Sequence, residues 1–169
     1  MASTAALTDA PYLLEQDEGL MYHFLNHLAT VKVQGGAGNA LSVVEFVGPK
    51  GFGPPLHSHR DEDELFLVLE GHMLFRSGDT EVEGHEGAHA FLPHGRPHQF
   101  QILSDTARFT CVTASLERSP QLDAMVTALG EVTDRPELPA PGPIDAARVA
   151  EVNDRFGIDI LGPPPAPLD

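Results

Sequence analysis

The chain has 169 residues, 10 of them Lys or Arg against 25 Asp or Glu, for a formal charge of -15. That length suits one domain with a sizeable core, and the acidic background leaves no Lys/Arg cluster to neutralise phosphates, so nucleic acid and anionic membrane are not expected partners. A single cysteine, Cys111, excludes an intrachain disulfide, and its place in the apolar run Phe109 to Val112 reads as a buried structural thiol.

Met1 to Leu7 lacks the basic start and apolar stretch of a signal peptide, and no run approaches membrane-spanning length, so the expectation is a soluble, cytoplasmic protein. Residues 1–10 read as disordered and Pro11 to Leu14 as the beginning of a short edge strand, together an N-terminal arm over 1–19. Leu20 to Val33 is rich in apolar and β-branched residues and predicts one or two strands. Within it His23 and His27 share strand parity, but roughly 13 Å of extended chain separates them, too far for one ion, so both read as structural. Gly35 to Asn39 is a turn, Leu41 to Val47 a strand, and Gly48-Pro49-Lys50-Gly51 breaks it.

The next stretch carries the chemistry. Gly51-Phe52-Gly53-Pro54-Pro55-Leu56-His57-Ser58-His59 is followed by an acidic run to Glu64 and then by Leu65-Phe66-Leu67-Val68-Leu69. Alternate side chains of a strand share a face, so His57 and His59 project together and can bind one ion, with Glu64 returning on the neighbouring strand. His98 follows the Pro93-His94-Gly95 turn, where a new strand can begin with its imidazole inward. Three neutral imidazoles and a carboxylate suit one divalent transition metal per chain: Fe, Ni, Mn, Zn, Co or Cu.

The spacing resembles the two signature motifs of the cupin superfamily. Gly51, His57, His59, Glu64 and Gly71 meet the first, G-x5-H-x-H-x4-E-x6-G. Gly87, Pro93, Gly95 and His98 meet the second, G-x5-P-x-G-x2-H-x3-N, in which Ile102 replaces the final Asn. The resemblance covers about residues 40–115 and implies that His57, His59, Glu64 and His98 are the metal ligands. It implies an all-β fold, the double-stranded β-helix or jelly roll, here with short helices after it. A looser likeness, in the Gly-Phe-Gly-Pro-Pro lead-in and the Leu161-Gly162-Pro163-Pro164 tail, is to small single-domain bacterial cupins described as quercetin-dioxygenase-like.

The apolar run Leu65 to Leu69 has no polar member on either face, so both faces of that strand are expected to be covered, the outer one by a second copy in a homodimer. His72 and His85 sit beside turns and read as solvated, while Ser77-Gly78-Asp79-Thr80 joins a hairpin. His89 and His94 lie beside the second motif as possible substrate contacts. Phe100 to Leu103 and Ala107 to Ala114 complete the strands of a barrel spanning 20–117.

In the remainder, 118–169, Ser119 is expected to cap a helix that has Pro120 at its first position and Leu122, Met125, Val126 and Leu129 on one stripe. A proline-rich stretch reads as an extended linker, and a second helix is expected from Asp145 to Phe156 with Gly157 as its stop. The end is a proline-rich tail, and these late elements read as packing without chemistry of their own.

Glu64 is the natural general base, taking the proton of a substrate hydroxyl. Ile102 shares parity with His98 and Phe100, and Phe66 and Val68 share that of Glu64, so Phe66, Val68, Phe100 and Ile102 are the expected substrate pocket. An apolar wall there favours a small aromatic or terpenoid-like molecule over a sugar phosphate. Two functions fit: a non-haem dioxygenase acting on a small aromatic or enolic compound, or a redox-silent cupin that isomerises, cyclises or merely binds its ligand.

Overall fold

Several strands of this chain alternate buried with more exposed residues, and two sheets close over the buried faces. The computed structural model describes residues 10–168. The barrel strands are β1 (Leu20–Phe24), β2 (His27–Val33), β3 (Leu41–Pro49), β4 (His57–His59), β5 (Asp63–Glu70), β6 (His72–Ser77), β7 (Thr80–His85), β8 (His89–Leu92), β9 (His98–Ile102) and β10 (Thr106–Ala114). Two short strands follow, β11 (Glu131–Val132) and β12 (Ile158–Ile160), with helices α1 (Leu122–Leu129) and α2 (Ala146–Arg155) around them. One sheet runs β11-β1-β2-β3-β10-β5-β8 and the other β12-β4-β9-β6-β7, with antiparallel neighbours throughout. This is the expected all-β jelly roll.

Between the sheets lies an aromatic centre. Phe109 on β10 is 1% exposed, and its ring stands 5.4 Å from Phe46, 5.9 Å from Phe66 and 5.2 Å from Phe100. Such pairs contribute about 0.5–1.5 kcal/mol each beyond area burial, and they hold the strands that carry the motif histidines in fixed relation. Gly71, at the corner from β5 to β6, has φ 91°, and a Cβ there would stand 2.6 Å from both Ser104 Oγ and the Thr106 carbonyl, so both backbone and space demand glycine.

Several expectations change. Pro11 to Leu14 forms no strand; Tyr12 instead hangs its hydroxyl on the Lys32 carbonyl at 2.7 Å. Residues 1–9 of the expected disordered arm lie outside the described residues. His23 and His27 do not share a strand, because Leu25 and Asn26, with φ 47° and 67°, turn the chain between β1 and β2. Helix α1 begins at Leu122, later than a Ser119 cap requires: Gln121 precedes it with φ -132°, and its N–H is taken by the Glu62 carboxylate at 3.0 Å. Helix α2 follows the sequence closely: the Asp145 side chain accepts from the N–H groups of Ala147 and Arg148, and Gly157 stops it at φ 77°.

The proline-rich linker and tail are not loose coverings. β11 pairs with β1, and β12 pairs with β4 with Ile160 opposite His57 and Ile158 opposite His59. Among the described residues the outer face of β5 is only partly covered: Leu65 and Leu67 are half-buried, Leu69 is 37% exposed and the neighbouring Phe91 is 61% exposed.

Candidate metal centre

β4 is three residues long, and both of its terminal histidines point inward, as the alternation requires. His57 pairs directly with His98 on β9. Glu64 does not come from a strand hydrogen-bonded to β4, as the sequence suggested. It comes from β5 in the facing sheet and reaches across the barrel. The Gly95 N–H donates to the His59 carbonyl at 2.7 Å, tying the turn before His98 to β4.

The four side chains converge. One ligand atom from each of His57, His59, Glu64 and His98 lies within 4.8 Å of every other. His98 Nε2 is 2.9 Å and His59 Nε2 3.5 Å from the same Glu64 oxygen. His57 Nδ1 is 2.8 Å from the Pro55 carbonyl and His98 Nδ1 2.8 Å from the Arg96 carbonyl. A carbonyl only accepts, so each Nδ1 carries a proton and each Nε2 is turned to the centre, that of His57 as a lone pair and that of His98 with a proton donated to Glu64, which a metal would displace.

The electrostatics agree. Burial, reinforced by the His98 and His59 imidazoles, pushes His57 from 6.5 to about 3. Burial likewise lowers His59, so both are neutral ligands near neutral pH. Burial alone would raise the Glu64 carboxyl, but His59 and His98 prevail and hold it below its usual range. His98 is raised because its hydrogen bond to Glu64 outweighs its own burial. A buried anion among imidazole lone pairs is a donor set suited to a borderline divalent ion.

From this cluster a cavity of about 440 Å³ opens. Phe24, Phe46, Phe52, Phe66, Phe100 and Phe109 are among its walls, and among the described residues none that line it is Lys or Arg. Phe66 and Phe100, expected from sequence in a substrate pocket, both line this cavity. Val68 and Ile102 do not line the cavity: each lies two residues further along its strand, packed in the core at 1% and 0% exposure. His89 and His94 also stay outside it; His94 is exposed and bonds Asp63 at 2.6 Å.

The late elements are walls of the cavity. Leu122 and Met125 of α1 and Val149 and Asn153 of α2 line it, and so does Pro163, whose carbonyl accepts the Leu56 N–H at 3.2 Å.

Three further residues were given no part in the site by the sequence: Cys111 and His27, read as structural, and Glu62, not singled out. Cys111 lines the cavity and donates its thiol to the second Glu64 oxygen at 3.3 Å. Its signal was parity, since Phe109, Cys111 and Thr113 all turn inward on β10. His27, at the start of β2, lines the cavity too. Burial pushes it to about 3, and its Nδ1 faces the Phe24 carbonyl at 3.1 Å. Glu62, 3% exposed, is pushed from 4.5 to about 7 by burial while it accepts from Gln121 N–H and stands 3.5 Å from Arg118.

Comparison with known proteins follows this geometry. The chain is 35% identical over 104 residues to the quercetin 2,3-dioxygenase of Bacillus subtilis (strain 168), a stretch covering 61% of this chain and 31% of that protein. It thus spans about a third of that relative's length. A predicted oxalate decarboxylase from Thermotoga maritima superposes with TM-score 0.57 at 19% identity, over 62% of this chain and 100% of that one. KdgF from Halomonas sp. superposes with TM-score 0.55 at 12% identity, over 63% of this chain and 94% of that one. At such identities the two structures speak for the fold alone. The family profile described as Cupin domain matches residues 43–113, a span that runs from within β3 to within β10 and holds all four convergent side chains. The two-sheet barrel and both motifs agree with that match, and residues 43–113 form a cupin domain.

Proposed function

We propose that this cupin is a metal-dependent dioxygenase acting on a small aromatic or enolic substrate, with His57, His59, Glu64 and His98 as the ligands of one divalent transition ion. The observation that carries the reading is that His57, His59 and Glu64 line a phenylalanine-walled cavity, with His98 buried beside them, and that among the described residues its walls offer no Lys or Arg. A flat, uncharged molecule fits such walls, whereas a phosphate or polycarboxylate would find no Lys or Arg partner beside the ion. The relative named for a 2,3-dioxygenase reaction on quercetin supports the same reading.

The ion, when bound, acidifies a coordinated substrate hydroxyl and, if redox-active, passes electrons between substrate and dioxygen. The protein does the rest. Its imidazoles are fixed by the Pro55 and Arg96 carbonyls, so the ligand set is preorganised. Glu64 is ionised and takes the hydroxyl proton; with its depressed pKa it is a weak base, adequate only for a hydroxyl already made acidic where it binds. The Cys111 thiol holds the other carboxylate oxygen and fixes which one is presented to substrate. Phe66, Phe100 and Phe109 orient the ring and exclude water.

Assembly follows from β5. Its half-buried Leu65 and Leu67 and exposed Leu69, with Phe91 beside them, form an apolar strip that a second copy of the chain would bury as a homodimer.

The test is oxygen consumption by protein loaded in turn with iron, nickel and manganese, against flavonols, catechols and enolic diketones. Substrate-dependent uptake is expected with at least one metal. Conversion of substrate at an undiminished rate with oxygen excluded identifies a redox-silent isomerase or cyclase, and tight binding with no conversion identifies a binding barrel.

A further inference from the structure

On the outside of the five-stranded sheet, remote from the cavity, the hairpin of β6 and β7 brings together three side chains that the barrel chemistry does not use. His72 opens β6 and His85 closes β7, and the two are direct cross-strand partners. Their rings stack at 4.0 Å between centroids with 17° between planes. Glu83, two residues before His85, shares its face, and its carboxylate meets His72 Nε2 at 2.8 Å. One ligand atom from each of the three lies within 4.8 Å of the others. Met73 and Phe75, of the opposite parity on β6, turn into the core, so the trio belongs to the outer face.

The backbone under the trio is firm. The His72 N–H donates to Ser104 Oγ at 2.9 Å, and the His72 carbonyl accepts the Leu103 N–H at 2.8 Å. The side chains above it are accessible: those of His72 and Glu83 are 27% and 58% exposed, and His85 is exposed. Firm backbone with accessible imidazoles lets the two rings turn about their own side-chain bonds toward one ion without disturbing the sheet.

We propose that His72, Glu83 and His85 form a second, surface metal site that takes a borderline divalent transition ion such as zinc. Two imidazoles and one carboxylate are a donor set that zinc accepts with water completing the tetrahedron, and oxygen-preferring magnesium or calcium would pass it over. Bound there, an ion clips β6 to β7 at the open base of their hairpin. The proposal is independent of the reaction assigned to the barrel, since no residue is shared.

The experiment counts zinc equivalents by calorimetric titration near neutral pH. Wild type is expected to bind one equivalent more than His85→Ala and one more than His72→Ala, both exposed or half-exposed changes that leave the core intact. His89→Ala, an exposed histidine outside the trio, should match wild type. In a His98→Ala background, which breaks the barrel donor set, the hairpin equivalent should persist. Equal counts in wild type and His85→Ala, an equal loss in His89→Ala, or disappearance of the hairpin equivalent in His98→Ala would each overturn the site.

Discussion

His98 Nε2 and a Glu64 carboxylate oxygen stand 2.9 Å apart, although the residues are 34 positions apart in sequence and belong to opposite sheets. The contact joins the two layers of the barrel at the inner end of the cavity. With no cation present the proton on His98 satisfies Glu64, and a divalent ion would take the place of that proton.

Metal content and stability are therefore linked. His57→Ala or His98→Ala should abolish the metal equivalent of the barrel while leaving the one assigned to the β6–β7 hairpin, and chelation of wild type should lower Tm. A ligand at a hundredfold excess over its Kd stabilises by about 2.7 kcal/mol, which for a chain of this size corresponds to roughly 5–10 °C. Metal analysis beside thermal melts checks both; full metal content in either variant removes the residue from the ligand set.

Acid stability should carry a histidine signature. His27 is held neutral, about 3 against an ordinary 6.5, so between those values the unfolded chain binds a proton that the folded chain does not. Stability is complete above 6.5 and falls as pH drops toward 3. His27→Phe, placed among Phe24, Phe46 and Phe52, should flatten that fall. Urea midpoints measured across the range test it, and parallel wild-type and variant profiles count against it.

Glu62 works in the opposite direction. Burial raises it from 4.5 to about 7, so the folded state holds its proton more tightly and Glu62 costs stability as pH rises through 7. Glu62→Gln keeps a carbonyl for the Gln121 N–H, and should gain on wild type above that pH. A difference that does not change between pH 5 and 8, the window set by these values, would contradict this.

The apolar strip on β5 should make the chain a dimer. Light scattering at micromolar concentration is expected to give about twice the 18.2 kDa of one chain, and Phe91→Glu to shift the mass toward the monomer. Monomeric wild type would sink the assignment.

Much of this was legible in the residues, and the failures have physical causes. The four convergent donors could be read because strand alternation fixes His57 with His59, and a Gly-containing turn fixes the start of His98's strand. What alternation does not give is the sheet to which a strand belongs, so Glu64 was expected beside β4 when it faces it. Nor does it tell how deep a cavity runs: Val68 and Ile102 have the right parity and the wrong depth. Strands of two or three residues such as β11 and β12 carry too little periodicity to be seen, which is why the tail's part in the cavity was missed. The stacking of His72 on His85 was hidden for a related reason, since hairpin register, not sequence proximity, makes them neighbours.

The central claim, that Glu64 serves a reaction consuming dioxygen, is tested most directly by oxygen uptake in Glu64→Gln with metal content confirmed. Glutamine keeps an oxygen near the three imidazoles but loses the charge and the basicity. The variant should bind substrate anaerobically and lose about 10²-fold or more in oxygen uptake, the scale of a removed general base. Uptake at the wild-type rate with metal in place, or no substrate-dependent uptake in wild type with any of the metals, would contradict the account.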